Sequence, residues 1–340
     1  MHKSRAFGKE PGSSVAVILP TYNREKFLPN ALSVLLNQTV SPSQLVVVID
    51  GSTDGSRRIV DDFSRNAPFE VTVCENVENF GIGFSRQVGA EKVRNDVDHV
   101  SYISDDDKWH PRFIERMLNH AKPDQITYCY YEVADQISGK TSPPFRFPTF
   151  KTREEFPRDA ISWSMKPSMF VNFSSIMIPR TILRRVEFRK DFRKGEDLAF
   201  LLDSLCQGVE YQCLEEVLVT VGVHRGQVSF DWRIEDMRKL VRYVIRSLRQ
   251  MGVSNELILY GMRDALEWAR MIVDPISRIH QLIIPLLLRP PPTRRVAQFI
   301  LFHRRKRRTR RIRERLEATR FTIRSPSGSN VLTESIATDE

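Results

Sequence analysis

Cysteine is scarce. Four thiols, Cys74, Cys129, Cys206 and Cys213, are spread over 340 residues with no C-x-x-C pair, so neither a disulfide framework nor a structural zinc site is expected, and the thiols read as reduced. Long apolar runs are missing too. The longest stretches, such as 282–288 with Pro285 inside it, fall well short of the roughly 20 residues that a membrane-spanning helix needs. The opening residues, MHKSRAFGKEPGSS, contain no apolar segment, so no secretory leader is expected. With 15 Gly, 19 Pro and no G-X-Y period, and no repeat at solenoid spacing, fibrous and repeat architectures fall away. What is present is 41% hydrophobic content, enough to fill the core of one large α/β domain or two smaller ones.

Basic charge is concentrated rather than shared. The formal net charge is +10, yet 289–320 alone holds 13 Lys or Arg against Glu314 and Glu317. The rest of the chain is therefore near neutral. The densest part, HRRKRRTRRIRERLEATR, follows the apolar run VAQFILF. Three readings fit such a segment: a helix on an anionic membrane surface, a nucleic-acid contact, or a solvated charge-laced helix. The final residues, 321–340, have the composition of a disordered tail, as do 1–13.

From Val15 onward, strand and helix patterns alternate. VAVIL is a continuous β-branched run, as in a strand buried on both faces. Leu28, Ala31, Leu32, Leu35 and Leu36 then follow a helical stripe, with Pro29 tolerated in the first turn. LVVVI is a second buried strand, and DGSRRIVDDF opens a second helix with Asp54 as N-cap. FEVTVCE, GFSRQVGAEKV and HVSYIS continue the alternation, which predicts a doubly wound, mainly parallel sheet. ITYCYYEV reads as a further strand. A helix from about Glu196 and a strand near Val217 complete a domain over 14–229. A helical extension is expected over 230–288, its clearest pieces being EDMRKLVRYVIRSLRQ and NELILYGMRDALEWARMIV.

In an open parallel sheet, ligands bind beyond the carboxyl ends of the strands. Polar residues follow each of those ends here: Thr21, Tyr22 and Asn23 after the first, Asp50, Gly51 and Ser52 after the second, and Ser104, Asp105, Asp106 and Asp107 after the fourth. No G-x-G-x-x-G follows the first strand and no G-x-x-x-x-G-K-[ST] occurs, which disfavours a Rossmann dinucleotide site and a P-loop. Three adjacent aspartates repel one another unless a hard divalent cation, shared with water and phosphate oxygens, keeps them ionised. The alternative is a solvated turn with Asp107 capping a helix that begins near Pro111.

Taken in order, VAVILPTYNREKFLPNALSVLLNQT, VVVIDGSTDGS, NFGIGFSRQVGAEK, YISDDDKWHP and GEDLAF resemble the motifs of family 2 glycosyltransferases. The likeness runs from Val15 to near Arg225 and leaves the C-terminal third uncovered. It implies the GT-A (nucleotide-diphospho-sugar transferase) fold, an α/β doubly wound sheet, and a hexosyl-transferring enzyme of the kind that builds cell-surface polysaccharide. By the same resemblance Thr21 and Tyr22 lie at the base and ribose, and Asp50 accepts a hydrogen bond from the base. A carboxylate accepting a uracil N–H is chemically sensible, so a UDP-sugar is the favoured donor. Ile49 stands where the family usually has a first Asp. Arg86 falls where an Arg near the nucleotide is common, followed by Gln87 in place of the usual Asn; a surface helix position is the other reading.

The acidic motif, with Ser104 in its leading position, implies Asp106 as principal ligand of Mn²⁺ or Mg²⁺, Asp105 near the ribose and Asp107 in support. Glu196 and Asp197 match the family's catalytic acid pair, with Asp197 as general base; a helix N-terminus favours its ionised form. His224 and Arg225 follow a strand where some members contact the metal or diphosphate. The implied reaction is inverting transfer to an acceptor hydroxyl on a glycan or lipid-linked sugar. Trp163, Phe170 and Phe173, in the irregular stretch 143–173, are candidates to stack on acceptor sugars, with core packing as the alternative. The basic segment suits a cytoplasmic protein held peripherally on the inner membrane face. Other readings are a sugar-1-phosphate nucleotidylyltransferase or metal phosphohydrolase, disfavoured by the PTYNRE turn, and an inactive nucleic-acid-binding protein acting through its tail.

Overall fold

The computed structural model describes residues 14–135, 141, 142, 144, 172–223, 233–255 and 258. The chain divides into two units, Met1–Leu282 and Ile283–Glu340, and all the described residues lie in the first. Strands β1 (Val15–Thr21), β2 (Gln44–Asp50), β3 (Glu70–Asn76) and β4 (His99–Tyr102) alternate with helices α1 (Leu28–Leu36), α2 (Ser56–Asn66) and α3 (Ile82–Glu91). A two-residue strand β5 (Lys108–Trp109), helix α4 (Phe113–His120) and the long strand β6 (Gln125–Asp135) follow. After a 3₁₀ turn (Phe173–Ser175) come β7 (Ile176–Pro179), α5 (Arg180–Leu183), α6 (Glu196–Cys206), β8 (Glu210–Val223) and α7 (Ile234–Gln250).

All eight strands form one sheet in the order β3-β2-β1-β4-β7-β6-β8-β5. The β1/β2, β2/β3, β1/β4 and β6/β8 pairs are parallel, and β7 is antiparallel to both β4 and β6. The α/β, mainly parallel architecture read from the sequence is thus the one adopted. The chain winds outward from β1 through β2 to β3, then returns to place β4 on the other side of β1. That reversal opens a crevice at the carboxyl ends of β1 and β4.

Local sequence explains the central elements. Every residue of β2 is buried, as a strand covered by helices on both faces requires. Leu28, Leu32 and Leu35 of α1 are fully buried, each contributing roughly 1.5–3 kcal/mol by leaving water. α7 closes the core from the far end: Leu240, Val244 and Leu248 are buried, and the Cys206 thiol of α6 donates to Ser247 O at 3.6 Å.

Some expectations need correction. Gly55, not Asp54, is the N-cap of α2, although Asp54 Oδ1 still accepts from Ser56 N at 3.0 Å. β4 ends at Tyr102 rather than Ser104. Asp107 caps no helix, because β5 intervenes before α4. The short elements β5, β7 and α5 were not anticipated; their two to four residues carry too little periodicity to read. The second helical piece read after 230 falls largely outside the described residues, as do 289–320 and both chain ends.

Candidate active site

The crevice between β1 and β4 gathers the polar strand ends. Thr21, nearly buried, donates from Oγ1 to Asp105 Oδ2 at 3.1 Å. Arg24 Nε stands 3.3 Å from Asp105 Oδ1. Burial, then the charge of Asp106, pushes the Asp105 carboxyl up to about 7 against the pull of Arg24 and Thr21. Asp107 is buried deeper: Ser174 Oγ donates to its Oδ2 and Gly222 N to its Oδ1 at 3.0 Å. Burial and Asp106 push its carboxyl upward as well. Asp106 stands between these two, half-buried.

The loop after β1 is laced to the loop after β2. Asn23 takes a left-handed conformation (φ 52°), its Oδ1 accepting from Thr53 N at 2.8 Å while its own N donates to Ser52 Oγ at 3.0 Å. Glu25 N donates to Asp54 Oδ2 and Gly55 N to Glu25 Oε2. Asp50, at the end of β2, receives Asn76 Nδ2 at 2.7 Å, Phe80 N at 3.1 Å and Gly81 N at 2.9 Å. Among the described residues these donors fill three of the roughly four acceptor positions of a carboxylate. Gly51 is required here: at φ 67° a Cβ would sit 2.4 Å from the Glu78 carbonyl carbon. Tyr22 is exposed at the rim.

The opposite wall is the first turn of α6. Glu196 is buried and accepts from Arg86 Nη1 at 2.6 Å; burial and the adjacent Asp197 push its carboxyl up, against the pull of Arg86. Arg86 is no surface residue: it is buried, its guanidinium lies 4.7 Å from the centre of the Phe173 ring, and its Nε has no partner among the described residues. Asp197 is partly exposed on the same turn. Burial, then the charges of Asp107 and Asp197, raise the Tyr131 phenol.

Two contributors escaped the sequence reading. Arg24 sat unmarked in the TYNRE turn beside residues that were singled out. The 3₁₀ turn supports the acidic motif: Ser174 Oγ also accepts from Ser104 N at 3.2 Å, and Ser174 O accepts from Trp109 Nε1 at 2.7 Å. Asn172 holds that turn through Ser174 N at 2.7 Å. Only an Asn-x-Ser spacing could have hinted at it. Phe173 is a correction: it is 2% exposed and packs against Tyr102, Phe188 and Phe200, so it belongs to the core and not to an acceptor surface. Trp163, Phe170, His224 and Arg225 lie outside the described residues.

Among the described residues no three acidic, imidazole or thiol groups converge as a metal cage. The donor set still suits a hard cation that takes one or two carboxylates and fills its shell with water and phosphate oxygens. Burial first, then the charge of Asp106, raises both neighbouring carboxyls, and a bound divalent cation would offset that charge.

Residues 16–183 match the family model described as glycosyl transferase family 2. A glucosyl-dolichyl phosphate glucuronosyltransferase of Haloferax volcanii is 33% identical over 130 residues, covering 37% of this chain and 40% of its own. TarS 1-349 of S. aureus, solved in complex with UDP-GlcNAc, superposes with a TM-score of 0.62 at 18% identity over 81% of this chain and 80% of its own. The mannosyltransferase PcManGT of Pyrobaculum calidifontis, solved with GDP-Man and Mn²⁺, gives 0.52 at 18% identity over 84% and 83%. These two share the fold. The chain spans 36–65% of the length of the first curated relatives it matches.

Proposed function

We propose that this chain, whose residues 16–183 match the model of glycosyl transferase family 2, moves a sugar from a nucleotide-diphosphate donor to an acceptor hydroxyl with inversion. One observation carries the reading: Ser174 bonds Asp107, and the adjacent Phe173 packs on Arg86, the partner of Glu196 at the start of α6, so a chain of contacts joins the two acid clusters. Asp50 accepts from the base, with Thr21 and Tyr22 in the base and ribose region. UDP is the favoured nucleotide, a choice supported by the UDP-GlcNAc held by the S. aureus neighbour.

Asp106 would hold Mn²⁺ or Mg²⁺, with Asp107 in support and His224 and Arg225 reaching the metal and diphosphate. When bound, such a cation neutralises charge on the departing diphosphate. Asp105, braced by Thr21 and Arg24, orients the donor. Asp197 takes the proton of the acceptor hydroxyl, whose oxygen attacks the anomeric carbon from the face opposite the diphosphate; no covalent intermediate forms. Glu196 is a positioning residue, fixing the start of α6 through Arg86.

A lipid-linked or glycan acceptor is supported by the name of the Haloferax relative. It agrees with peripheral attachment to the inner membrane face through 289–320. No helix among the described residues is long and apolar enough to cross a membrane.

A panel of nucleotide sugars with Mn²⁺, scored for slow release of nucleoside diphosphate, tests the activity. Calorimetry of UDP uptake tests the metal: uptake should rise with Mn²⁺ or Mg²⁺ and lose that rise in Asp106→Ala. No cation effect on UDP, GDP or TDP would remove the metal from the proposal, and no release from any sugar would remove the transferase reading.

A further inference from the structure

An open cavity of about 660 Å³ lies between the segment preceding α6 and helix α7, away from the strand ends. Five of its lining residues are Lys or Arg and two, Asp191 and Glu235, are acidic. The fold neutralises only part of that charge. Arg189 pairs with Asp203 at 3.2 Å and Lys239 with Asp191 at 2.8 Å. Arg242 and Arg246 are exposed and have no carboxylate partner among the described residues.

The cations are held in place by aromatic rings. The guanidinium carbons of Arg189 and Arg246 lie 5.0 and 5.1 Å from the centre of the Tyr243 ring, so they are no more than about 10 Å apart. The Lys239 ammonium lies 4.6 Å from the centre of the Phe192 ring. Arg189 also donates to Tyr243 Oη at 3.0 Å. Lys239, Arg242 and Arg246 recur at three- and four-residue spacing on one face of α7, where like charges are neighbours and destabilise the helix. A helix that keeps this cost, and aims the resulting cations into a cavity, suits a ligand with clustered oxyanions. A guanidinium fork matches phosphate oxygens in geometry as well as charge.

The segment that lines the cavity leads into α6. Gly195 (φ 78°) has no Cβ, and one there would stand 2.7 Å from Leu240 Cδ2, so α7 closes tightly on the chain just before Asp197. Asp197 is five positions on from Phe192, at most roughly 18 Å along an extended chain. A phosphate-bearing oligosaccharide spans such a distance.

We propose that this cavity is an anion site, separate from the donor crevice, that grips a phosphate group carried by the acceptor. Anion binding stands by itself; calling the ligand the acceptor rests on the glycosyl-transfer reading. The test titrates the full chain with inorganic tripolyphosphate at low salt, without metal or nucleotide. Arg242→Glu/Arg246→Glu should bind at least tenfold more weakly, and the double Gln variant to an intermediate degree. The uptake of UDP with Mn²⁺ should stay within twofold and the thermal midpoint should not fall. Unchanged tripolyphosphate affinity in the Glu variant overturns the proposal, since anion binding then belongs elsewhere, for instance to 289–320.

Sedimentation with phosphatidylglycerol–phosphatidylcholine vesicles identifies the source of the phosphate. Loss of vesicle binding in the Glu variant assigns the site to a lipid headgroup; retained vesicle binding with lost tripolyphosphate binding assigns it to a soluble phosphorylated acceptor. Absence of nucleotide-sugar turnover with a normal anion response would remove the transferase reading and leave the anion site standing.

Discussion

Arg86 and Glu196 are 110 residues apart in sequence, and their side chains meet at 2.6 Å in the buried seam between α3 and the first turn of α6. The pair ties α3 to the turn that presents Asp197. Removing one partner strands the other charge in the interior, which costs about 3–5 kcal/mol. Arg86→Met and Glu196→Gln should therefore both lower the urea midpoint. A midpoint unchanged in either variant would contradict a structural ion pair. Turnover of surviving Glu196→Gln should fall through kcat with KM for the donor little changed.

Asp197→Asn keeps shape and removes the proton acceptor. General-base catalysis contributes about 10²- to 10⁴-fold, so kcat should drop by that order while UDP affinity stays within twofold. Steady-state transfer assays and nucleotide titration check both halves. Full activity in the Asn variant would take Asp197 out of the reaction.

Ser174 Oγ is the donor that faces Asp107 Oδ2, and Gly222 N holds the other oxygen. Ser174→Ala leaves a buried acceptor short of a partner, at about 1–3 kcal/mol. The variant should be less stable in urea and should bind UDP–Mn²⁺ several-fold more weakly, because the acidic turn loses its brace. A stability loss with wild-type nucleotide affinity would mean that the turn holds its shape without Ser174.

His99, buried on β4 at the amino end of the sheet, has its pKa lowered from the ordinary 6.5 by burial. The folded state thus favours the neutral ring, and the unfolded chain binds the extra proton first. Stability is fully present above about pH 6.5 and declines as pH falls below it. His99→Gln should flatten that acid slope between about pH 7 and 5, even if it is less stable overall. Chemical denaturation across this range decides the point: an unaltered slope would assign the pH dependence to other groups.

Much of the sheet was legible because buried parallel strands advertise themselves. VAVIL and LVVVI have no polar residue to place, and α1 repeats leucine at helical spacing, so β1, β2 and α1 followed directly. Asp50, Asp105, Asp106 and Asp197 were named because motif order places them at strand and helix ends. Their partners were not legible. Ser174 meets Asp107 across 67 residues and Arg86 meets Glu196 across 110, and no local period encodes a contact of that length.

The linear order of residues determined which elements form and which acids stand at their ends, because hydrophobic periodicity and chain direction are local properties. Folding decided what each acid does there. Asp50 became the anchor of the 76–81 loop, Asp105 and Asp107 became braced walls, Phe173 went into the core, and α7 turned a row of arginines toward a cavity. Those outcomes depend on which distant donor reaches a buried oxygen first, and only the packed sheet sets that competition.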